Sequence, residues 1–203
     1  MAEPITAGPV ALRTSPLAHL EERMRAAAVP GSRGVTLAEL PFLTMVNVRV
    51  DPASDAADRI GRALGAPLPR RCGDTATHGD RTAVWLGPDE WLVLSRADAG
   101  TVTTELREAL RGDPGSVVDV SANRTTLELS GPSAREVLEK GCPLDLHPRA
   151  FGPGSAVSTT VGPIAVLLWQ TDDTPTYRLL PRSSFADYLA RWLMDAMSEY
   201  GRP

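Results

Sequence analysis

The sequence predicts an α+β protein built from two small α/β lobes. Apolar runs with period-two alternation, such as Val46, Val48 and Val50, alternate along the chain with segments of helical periodicity. Both halves run through strands into a helix, although no true sequence repeat is present. A chain of 203 residues can bury a substantial core. We therefore expect one domain over residues 15–203, with lobes at about 15–112 and 113–203. Residues 1–14 contain two prolines and no apolar periodicity, which predicts a flexible N-terminal arm.

The first lobe is predicted to begin with a short amphipathic helix. Ser15 before Pro16 is a typical capping pair, and Leu17, Leu20 and Met24 then share one helical face. The other elements predicted for this lobe are strands at about 35–40 and 43–50, a helix from 56 to 64 that ends at Gly65, an irregular loop or weak strand at 67–81, a hairpin with strands at 84–86 and 91–94, and a helix marked by Val102, Leu106 and Leu110.

The second lobe is predicted to repeat this alternation and to end in the clearest helix of the chain. Residues 164–169 are nearly all apolar, which is typical of a central strand covered on both faces. From Phe185 to Met197 the apolar residues follow helical spacing, and Ser184 with Asp187 resembles a capping box. The other predicted elements are strands at 117–120, 125–129 and 177–180, and a helix at 132–140 closed by Gly141.

Composition and charge argue against two classes of partner. The net charge is −4 and Arg70-Arg71 is the only adjacent basic pair, whereas a nucleic-acid-binding protein should show a basic stripe. No uninterrupted apolar stretch approaches the roughly 20 residues of a membrane span, and the first residues lack the pattern of a signal peptide. We therefore expect a cytoplasmic protein with neither nucleic acid nor membrane as a partner.

Motifs for cofactors and metals are missing from the sequence. Neither of the glycine-rich phosphate-binding patterns occurs, so the chain is not expected to hold a dinucleotide by itself. Cys72 with His78 and Cys142 with His147 form two similarly spaced pairs that could converge on zinc. Neither spacing matches a known zinc-finger pattern, and free, partly buried thiols with surface histidines are the preferred interpretation. We expect no metal site.

The densest polar cluster of the sequence covers residues 119–124. It lies between two predicted strands, where a loop could present Asp119, Asn123 and Arg124 to a ligand or cofactor. Aspartate and asparagine are also common in tight turns, and we prefer that interpretation. Asp89 and Glu90 are adjacent on a predicted hairpin, where consecutive side chains point to different sides, so they are read as turn residues. No catalytic residue is predicted.

Four tryptophans are expected to be core residues, with one or two of them as interface anchors, because tryptophan is enriched at the buried centres of protein contacts. They are Trp85, Trp91, Trp169 and Trp192.

Five segments in order along the chain resemble the gamma subunit of heterotetrameric sarcosine oxidase. They are WLGPDEW at 85–91, PFLTMVN at 41–47, VDVSANRT at 118–125, EKGCPLDLHP at 139–148 and RSSFA at 182–186. The resemblance covers the chain from Ser15 to about Met197. It implies a fold similar to the folate-binding lobes of aminomethyltransferases, in agreement with the two predicted lobes. The folate-contacting motif of those enzymes has no match here, so no folate-binding residue is assigned.

The resemblance implies a non-catalytic subunit of a four-chain oxidoreductase. Such a complex oxidises sarcosine to glycine with formation of hydrogen peroxide, and transfers the one-carbon unit to tetrahydrofolate as cosubstrate. FAD, FMN and NAD are expected in the alpha and beta subunits and zinc in the delta subunit, with no cofactor in this chain. Its partners would be the alpha, beta and delta subunits, chiefly alpha.

The alternative is a stand-alone module of the same fold that binds folate or another anionic cofactor, with Asn123 and Arg124 near the ligand. An independent aminomethyl-transfer enzyme is less expected, because the chain has half the usual length. A binding module predicts convergent polar residues in a pocket. The subunit hypothesis predicts an apolar face near the C-terminal helix or the hairpin at Trp85.

Overall fold

Helices and strands alternate along the chain as predicted. The computed structural model describes residues 13–201, so the predicted arm at 1–14 lies outside the described residues except for Arg13 and Thr14. The helices are α1 (Glu21–Ala26), α2 (Asp55–Leu64), α3 (Ala99–Leu110), α4 (Ala134–Glu139) and α5 (Ala186–Met197), with 3-10 turns at Ala18–Leu20, Ser183–Phe185 and Ser198–Gly201. The strands are β1 (Thr36–Glu39), β2 (Thr44–Val50), β3 (Thr75–His78), β4 (Arg81–Gly87), β5 (Glu90–Ser95), β6 (Gly115–Asp119), β7 (Leu127–Ser130), β8 (Ala156–Val161), β9 (Ile164–Asp172) and β10 (Thr176–Pro181).

The strands form two five-stranded antiparallel sheets. The first sheet has the order β3-β4-β5-β2-β6, and the second has the order β1-β7-β10-β9-β8. Strand β6 comes from the second half of the chain but joins the first sheet, and β1 from the first half joins the second sheet. Each sheet thus contains one strand from beyond the predicted lobe boundary at residue 112. The α+β fold class is confirmed.

The two sheets pack face to face, and helices cover their outer faces. Single strands carry apolar side chains on both faces of their sheet, because successive side chains of a strand point to opposite faces. In β2, Val46 and Val48 belong to the core shared with α2 and α3, whereas Met45 points into the layer between the sheets. In β9, Leu168 faces the helices of the second sheet and Leu167 faces the first sheet. The prediction that β9 is covered on both faces is confirmed.

Helix α2 ends at Gly65 as the sequence predicts, and a serine caps its start. At its start, the Ser54 hydroxyl accepts a hydrogen bond from Ala57 N at 3.3 Å. At its end, Gly65 adopts φ +81°, a left-handed conformation that glycine accepts without steric cost. The tightly packed loop beyond Gly65 leads into β3, so part of the segment predicted as a loop or weak strand is a strand.

Both capping predictions based on serine are wrong. Ser15 does not cap a helix, since its hydroxyl donates to the Glu39 carboxylate at 2.5 Å and a 3-10 turn precedes α1. At the last helix, Phe185 occupies the capping position without a side-chain hydrogen bond, and Asp187 contacts His19 and Arg191 instead. In both cases a polar side chain that looked local has a partner elsewhere in the fold.

The tryptophans divide into two groups. Trp91 and Trp169 are buried in the core, as predicted, and Trp85 and Trp192 are half-buried against helix-covered faces of the sheets. Trp91 also donates a hydrogen bond from Nε1 to the Pro69 carbonyl at 2.8 Å. No helix in the described part of the chain combines the length and apolar character that crossing a bilayer requires.

Candidate interaction surface

Residues 119–124, here called the crossover loop, begin at Asp119, the last residue of β6 in the first sheet, and lead toward β7 of the second. Asp119 Oδ1 accepts hydrogen bonds from the Ser121 backbone at 2.9 Å and from its hydroxyl at 2.5 Å. The Ser121 hydroxyl in turn accepts from Met45 N at 3.0 Å. Asp119 is therefore a turn residue, and this cluster ties the loop to the edge of β2.

Asn123 and Arg124 connect the crossover loop to the segment that precedes α5. The Asn123 carbonyl accepts from Ser183 N at 2.9 Å. Arg124 Nη1 donates to the Leu180 carbonyl at 2.7 Å, and the backbone of Arg124 forms a bridge with Arg182. Burial, together with the nearby positive charge of Arg182, lowers the pKa of Arg124. Asp119, Asn123 and Arg124 thus lie in one loop. Their hydrogen bonds, which for Asn123 come from the backbone, fix this loop and connect it to the segment before α5.

Three cavities of the described chain are alternative candidates for a ligand site. One of about 450 Å³ lies beside α2 with Trp91 in its wall, and one of about 400 Å³ lies between α1 and β1. A third, of about 550 Å³, is a polar cleft that includes Arg96 and Arg178. None of these three cavities is lined by a candidate residue of the crossover loop.

Polar side chains that line the polar cleft already form hydrogen bonds and contacts within the chain. The carboxylate of Asp80 accepts from the Ser95 hydroxyl at 2.8 Å, which lowers the pKa of Asp80. Arg178 Nε donates to Glu128 at 3.1 Å, and the Arg178 guanidinium lies over the ring of Trp169, 5.0 Å from its centroid. These pairs leave few polar groups in the cleft for an anionic ligand.

The cysteine and histidine pairs do not converge. Cys72 is exposed and Cys142 is buried. Among residues 13–201, no group of three or more His, Cys, Asp or Glu side chains is placed to hold a metal ion.

Exposed large apolar side chains concentrate around the crossover loop. Within residues 13–201 there are four of them: Phe42, Val118, Phe185 and Tyr188, each about half exposed. Val118 directly precedes the loop. We call these four residues the crossover surface. Phe185 and Tyr188 continue the apolar spacing predicted for the last helix, and within residues 13–201 they are left exposed.

Hydrogen bonds place the other three residues beside the same loop. Phe42 lies between Leu40, which donates to the Thr126 carbonyl, and Met45, which is bonded to Ser121. Phe185 and Tyr188 follow Ser183, whose hydroxyl donates to the Ala122 carbonyl at 3.0 Å. The sequence signal for Phe42 was its place after Pro41 in a turn, where a side chain has few neighbours to cover it.

Sequence comparison identifies the family. The family model described as "Sarcosine oxidase, gamma subunit family" matches residues 47–199. The chain is 47% identical over 193 residues to the sarcosine oxidase subunit gamma of Arthrobacter sp., covering 95% of this chain and 93% of that one. The chain belongs to the sarcosine oxidase gamma subunit family. The family member of Corynebacterium sp. strain U-96 is 46% identical over 190 residues, covering 93% of this chain and 92% of that one.

Solved structures agree with this membership in the sarcosine oxidase gamma subunit family. A chain of the heterotetrameric sarcosine oxidase from Corynebacterium sp. U-96, in complex with pyrrole 2-carboxylate, aligns with a TM-score of 0.90 and 44% identity, over 95% of this chain and 98% of that chain. Aminomethyltransferase T of the Bartonella henselae glycine cleavage system aligns with a TM-score of 0.67 and 16% identity, over 90% of this chain and 57% of that chain. The second likeness confirms the predicted similarity of fold to aminomethyltransferases.

Three of the five segments that resemble the sarcosine oxidase gamma subunit family meet at the crossover surface. They are residues 41–47, 118–125 and 182–186, which contribute Phe42, Val118 and Phe185. The other two, 85–91 and 139–148, lie elsewhere in the fold. The segments that carry the family resemblance therefore converge in space although they are distant in the sequence.

An ion-pair cluster borders this surface at the start of α5. Asp187 lies 2.6 Å from His19 Nε2 and accepts from Arg191 Nε at 2.6 Å. The hydrogen bonds from Arg191 and then from His19 lower the pKa of Asp187 from 3.8 to about 2. Because the pKa is lowered in the folded state, the stabilisation is present above pH 4 and is lost as the pH falls toward about 2.

The Asp187 cluster gives a prediction for acid titration. Substitution His19→Ala should raise the pKa of Asp187 while leaving it below 3.8, and Arg191→Ala should raise it further because Arg191 is the larger cause. Carbon-13 shifts of the Asp187 side-chain carboxyl, followed against pH, measure both values. A pKa that stays near 2 in both variants would contradict the assigned causes.

Proposed function

We propose that this chain is the non-catalytic gamma subunit of a heterotetrameric sarcosine oxidase. The observation that carries the proposal is the alignment over nearly its whole length with a chain of the Corynebacterium enzyme. The fold alone would not suffice, because one fold can serve unrelated functions. Sequence identity of 44% together with the family match ties the fold to this one family.

The partners of the chain in this proposal are the alpha, beta and delta subunits, chiefly alpha. The complex would oxidatively demethylate sarcosine to glycine with formation of hydrogen peroxide, and pass the one-carbon unit to tetrahydrofolate. FAD, FMN, NAD and zinc would be held by the other subunits, and this chain would hold none of them. The complex would work in the cytoplasm.

The local chemistry of the chain supports a structural role. The candidate residues Asp119, Asn123 and Arg124 serve turn and backbone contacts, and within residues 13–201 no metal-binding group of side chains is present. An apolar face near the C-terminal helix was expected for a subunit, and Phe185 with Tyr188 provides one. The hairpin at Trp85 was the other place expected for an apolar face. Because Trp85 is half-buried, the hairpin is less exposed than the surface at the C-terminal helix.

Co-expression tests the proposal. The tagged chain is produced with the genes adjacent to its own, captured, and examined for co-purified proteins, flavin absorbance and sarcosine-dependent peroxide. We expect flavin-bearing partners and activity that are both absent when the chain is produced alone. The matched control is the same set of genes without the tagged chain.

The binding-module alternative makes the opposite prediction. If the chain retrieves no partner after co-expression, and if tetrahydrofolate quenches its tryptophan fluorescence, the binding-module hypothesis replaces the subunit proposal. Of the three cavities, the polar cleft with Arg96 is the place to test for such a ligand, although the residues first expected near it, Asn123 and Arg124, do not line it. The Arg96→Glu variant should then lose the quenching, whereas Arg71→Glu should retain it.

A further inference from the structure

We infer that the crossover surface is the docking site for a partner subunit, and that the facing surface of that partner is acidic and partly apolar. This inference rests on the proposed function, because it assigns the surface through which the proposed subunit binds its complex.

The first observation is the concentration of exposed apolar groups. All four exposed large apolar residues of the described chain belong to three segments bonded to the crossover loop or adjoining it. Isolated exposed apolar residues are ordinary on protein surfaces, but a cluster with aromatic members is typical of a protein contact. Tyr188 lies three residues after Phe185, so both project from the same side of the helix start.

The second observation is a group of arginines without an ion-pair partner in the described part of the chain. The chain has a net charge of −4, yet Arg13, Arg124 and Arg182 border this surface, and no carboxylate of residues 13–201 forms an ion pair with them. Arg124 and Arg182 are close enough for the charge of Arg182 to act on Arg124. The nearby carboxylates already accept hydrogen bonds within the chain: Asp119 from Ser121, Asp187 from His19 and Arg191, and Glu39 from Ser15 and Thr125.

This charge pattern determines the chemistry of the partner. Two neighbouring guanidinium groups without a carboxylate repel one another, and a carboxylate from outside would relieve that repulsion. Arginine is also well suited to interfaces, because its planar group pairs with carboxylates in a bidentate manner. A partner surface with Asp or Glu side chains among apolar residues is therefore complementary.

The third observation is the backbone at Phe42. Its φ of +61° is in the left-handed region, which a bulky residue adopts at an energetic cost. The Arg13 guanidinium lies over the Phe42 ring, 4.8 Å from its centroid, but the side chain remains 47% exposed. Since a glycine would fit this turn without strain, the half-exposed aromatic ring supports a contact outside the chain.

The experiment uses the co-expressed complex with a tag on this chain. Substitution Arg182→Glu reverses an exposed charge and should lower the amount of captured partner about tenfold at roughly 0.15 M salt, as expected for loss of a central charged contact. Phe185→Ala should lower it by a similar factor through loss of apolar contact. Arg71→Glu is the matched control, because Arg71 is exposed and lies before β3, at the opposite edge of the first sheet from β6.

The outcomes separate the docking surface from the proposed function. Capture by the unchanged chain and by Arg71→Glu, together with loss in both surface variants at unchanged thermal midpoint, supports the surface. Full capture by Arg182→Glu and Phe185→Ala overturns the surface and leaves the subunit proposal standing. No capture by the unchanged chain overturns the subunit proposal itself. If the two surface variants change only the self-association of the chain, measured by light scattering, the surface binds a second copy of the chain, which also overturns the inference.

Discussion

Replacing Gly131 by alanine is expected to lower the free energy of unfolding by roughly 3 kcal/mol or more, because it adds conformational strain to a steric clash. Gly131 has φ +122°, outside the region that residues with a side chain readily adopt. An added Cβ would lie 2.5 Å from the carbonyl oxygen of Gly34 and 3.0 Å from Val35 Cα. Both contacts are with backbone, so no side chain can rotate away to relieve them. Urea unfolding followed by tryptophan fluorescence measures the change.

The matched control for Gly131 is Gly79 in the turn between β3 and β4. Gly79 also has a left-handed φ, +58°, but nothing lies within 4 Å of an added Cβ. Its substitution by alanine should cost only about 1 kcal/mol. If the two substitutions destabilise the protein equally, the backbone of Gly34 and Val35 does not approach Gly131 as closely as described here.

Substitution Trp91→Ala is expected to cost about 3–5 kcal/mol of stability. The side chain is 1% exposed and packs in the core between the first sheet and its helices. Its removal would leave a cavity and also remove the hydrogen bond to the Pro69 carbonyl. A chain of this kind has a total stability of about 5–15 kcal/mol, so this substitution takes away a large part of it. Thermal and urea unfolding give the measurement.

Two comparisons control the Trp91 prediction. Trp91→Phe keeps an aromatic ring and should cost only about 1–3 kcal/mol, chiefly through the unsatisfied Pro69 carbonyl. Trp85→Ala should also cost less than Trp91→Ala, because Trp85 is only half-buried. A Trp91→Ala protein as stable as the Trp85→Ala protein would contradict the assignment of Trp91 to the core.

Local pattern was sufficient for most of the secondary structure. The hairpin that contains Trp85 and Trp91, the end of α2 at Gly65 and the periodicity of α5 were all predicted from neighbours within a few residues. The capping predictions failed because Ser15 bonds to Glu39, 24 residues away, and Asp187 bonds to His19, 168 residues away, as well as to Arg191 in its own helix. Hydrogen bonds across such separations leave no periodic signal in the sequence.

The interaction surface was only partly predictable. The sequence indicated the crossover loop and an apolar face near the last helix, but periodicity places Phe185 on the apolar stripe without showing what covers it. Whether a residue of the apolar stripe is covered depends on which element packs there, and the short 3-10 turn at Ser183–Phe185 leaves Phe185 uncovered. Phe42 and Arg124 approach one another only through the pairing of β1 with β7 and of β2 with β6.

The exchange of strands between the two sheets has a consequence for folding. Strand β1 pairs with β7, which lies some 90 residues later in the chain. Strand β2 likewise lacks one of its two neighbouring strands until β6 has been synthesised. Pairing across such separations requires closure of long loops, which slows folding. Neither half of the chain, divided at residue 112, contains a complete sheet, so the two sheets form together. We expect one cooperative unfolding transition and no stable fragment from either half.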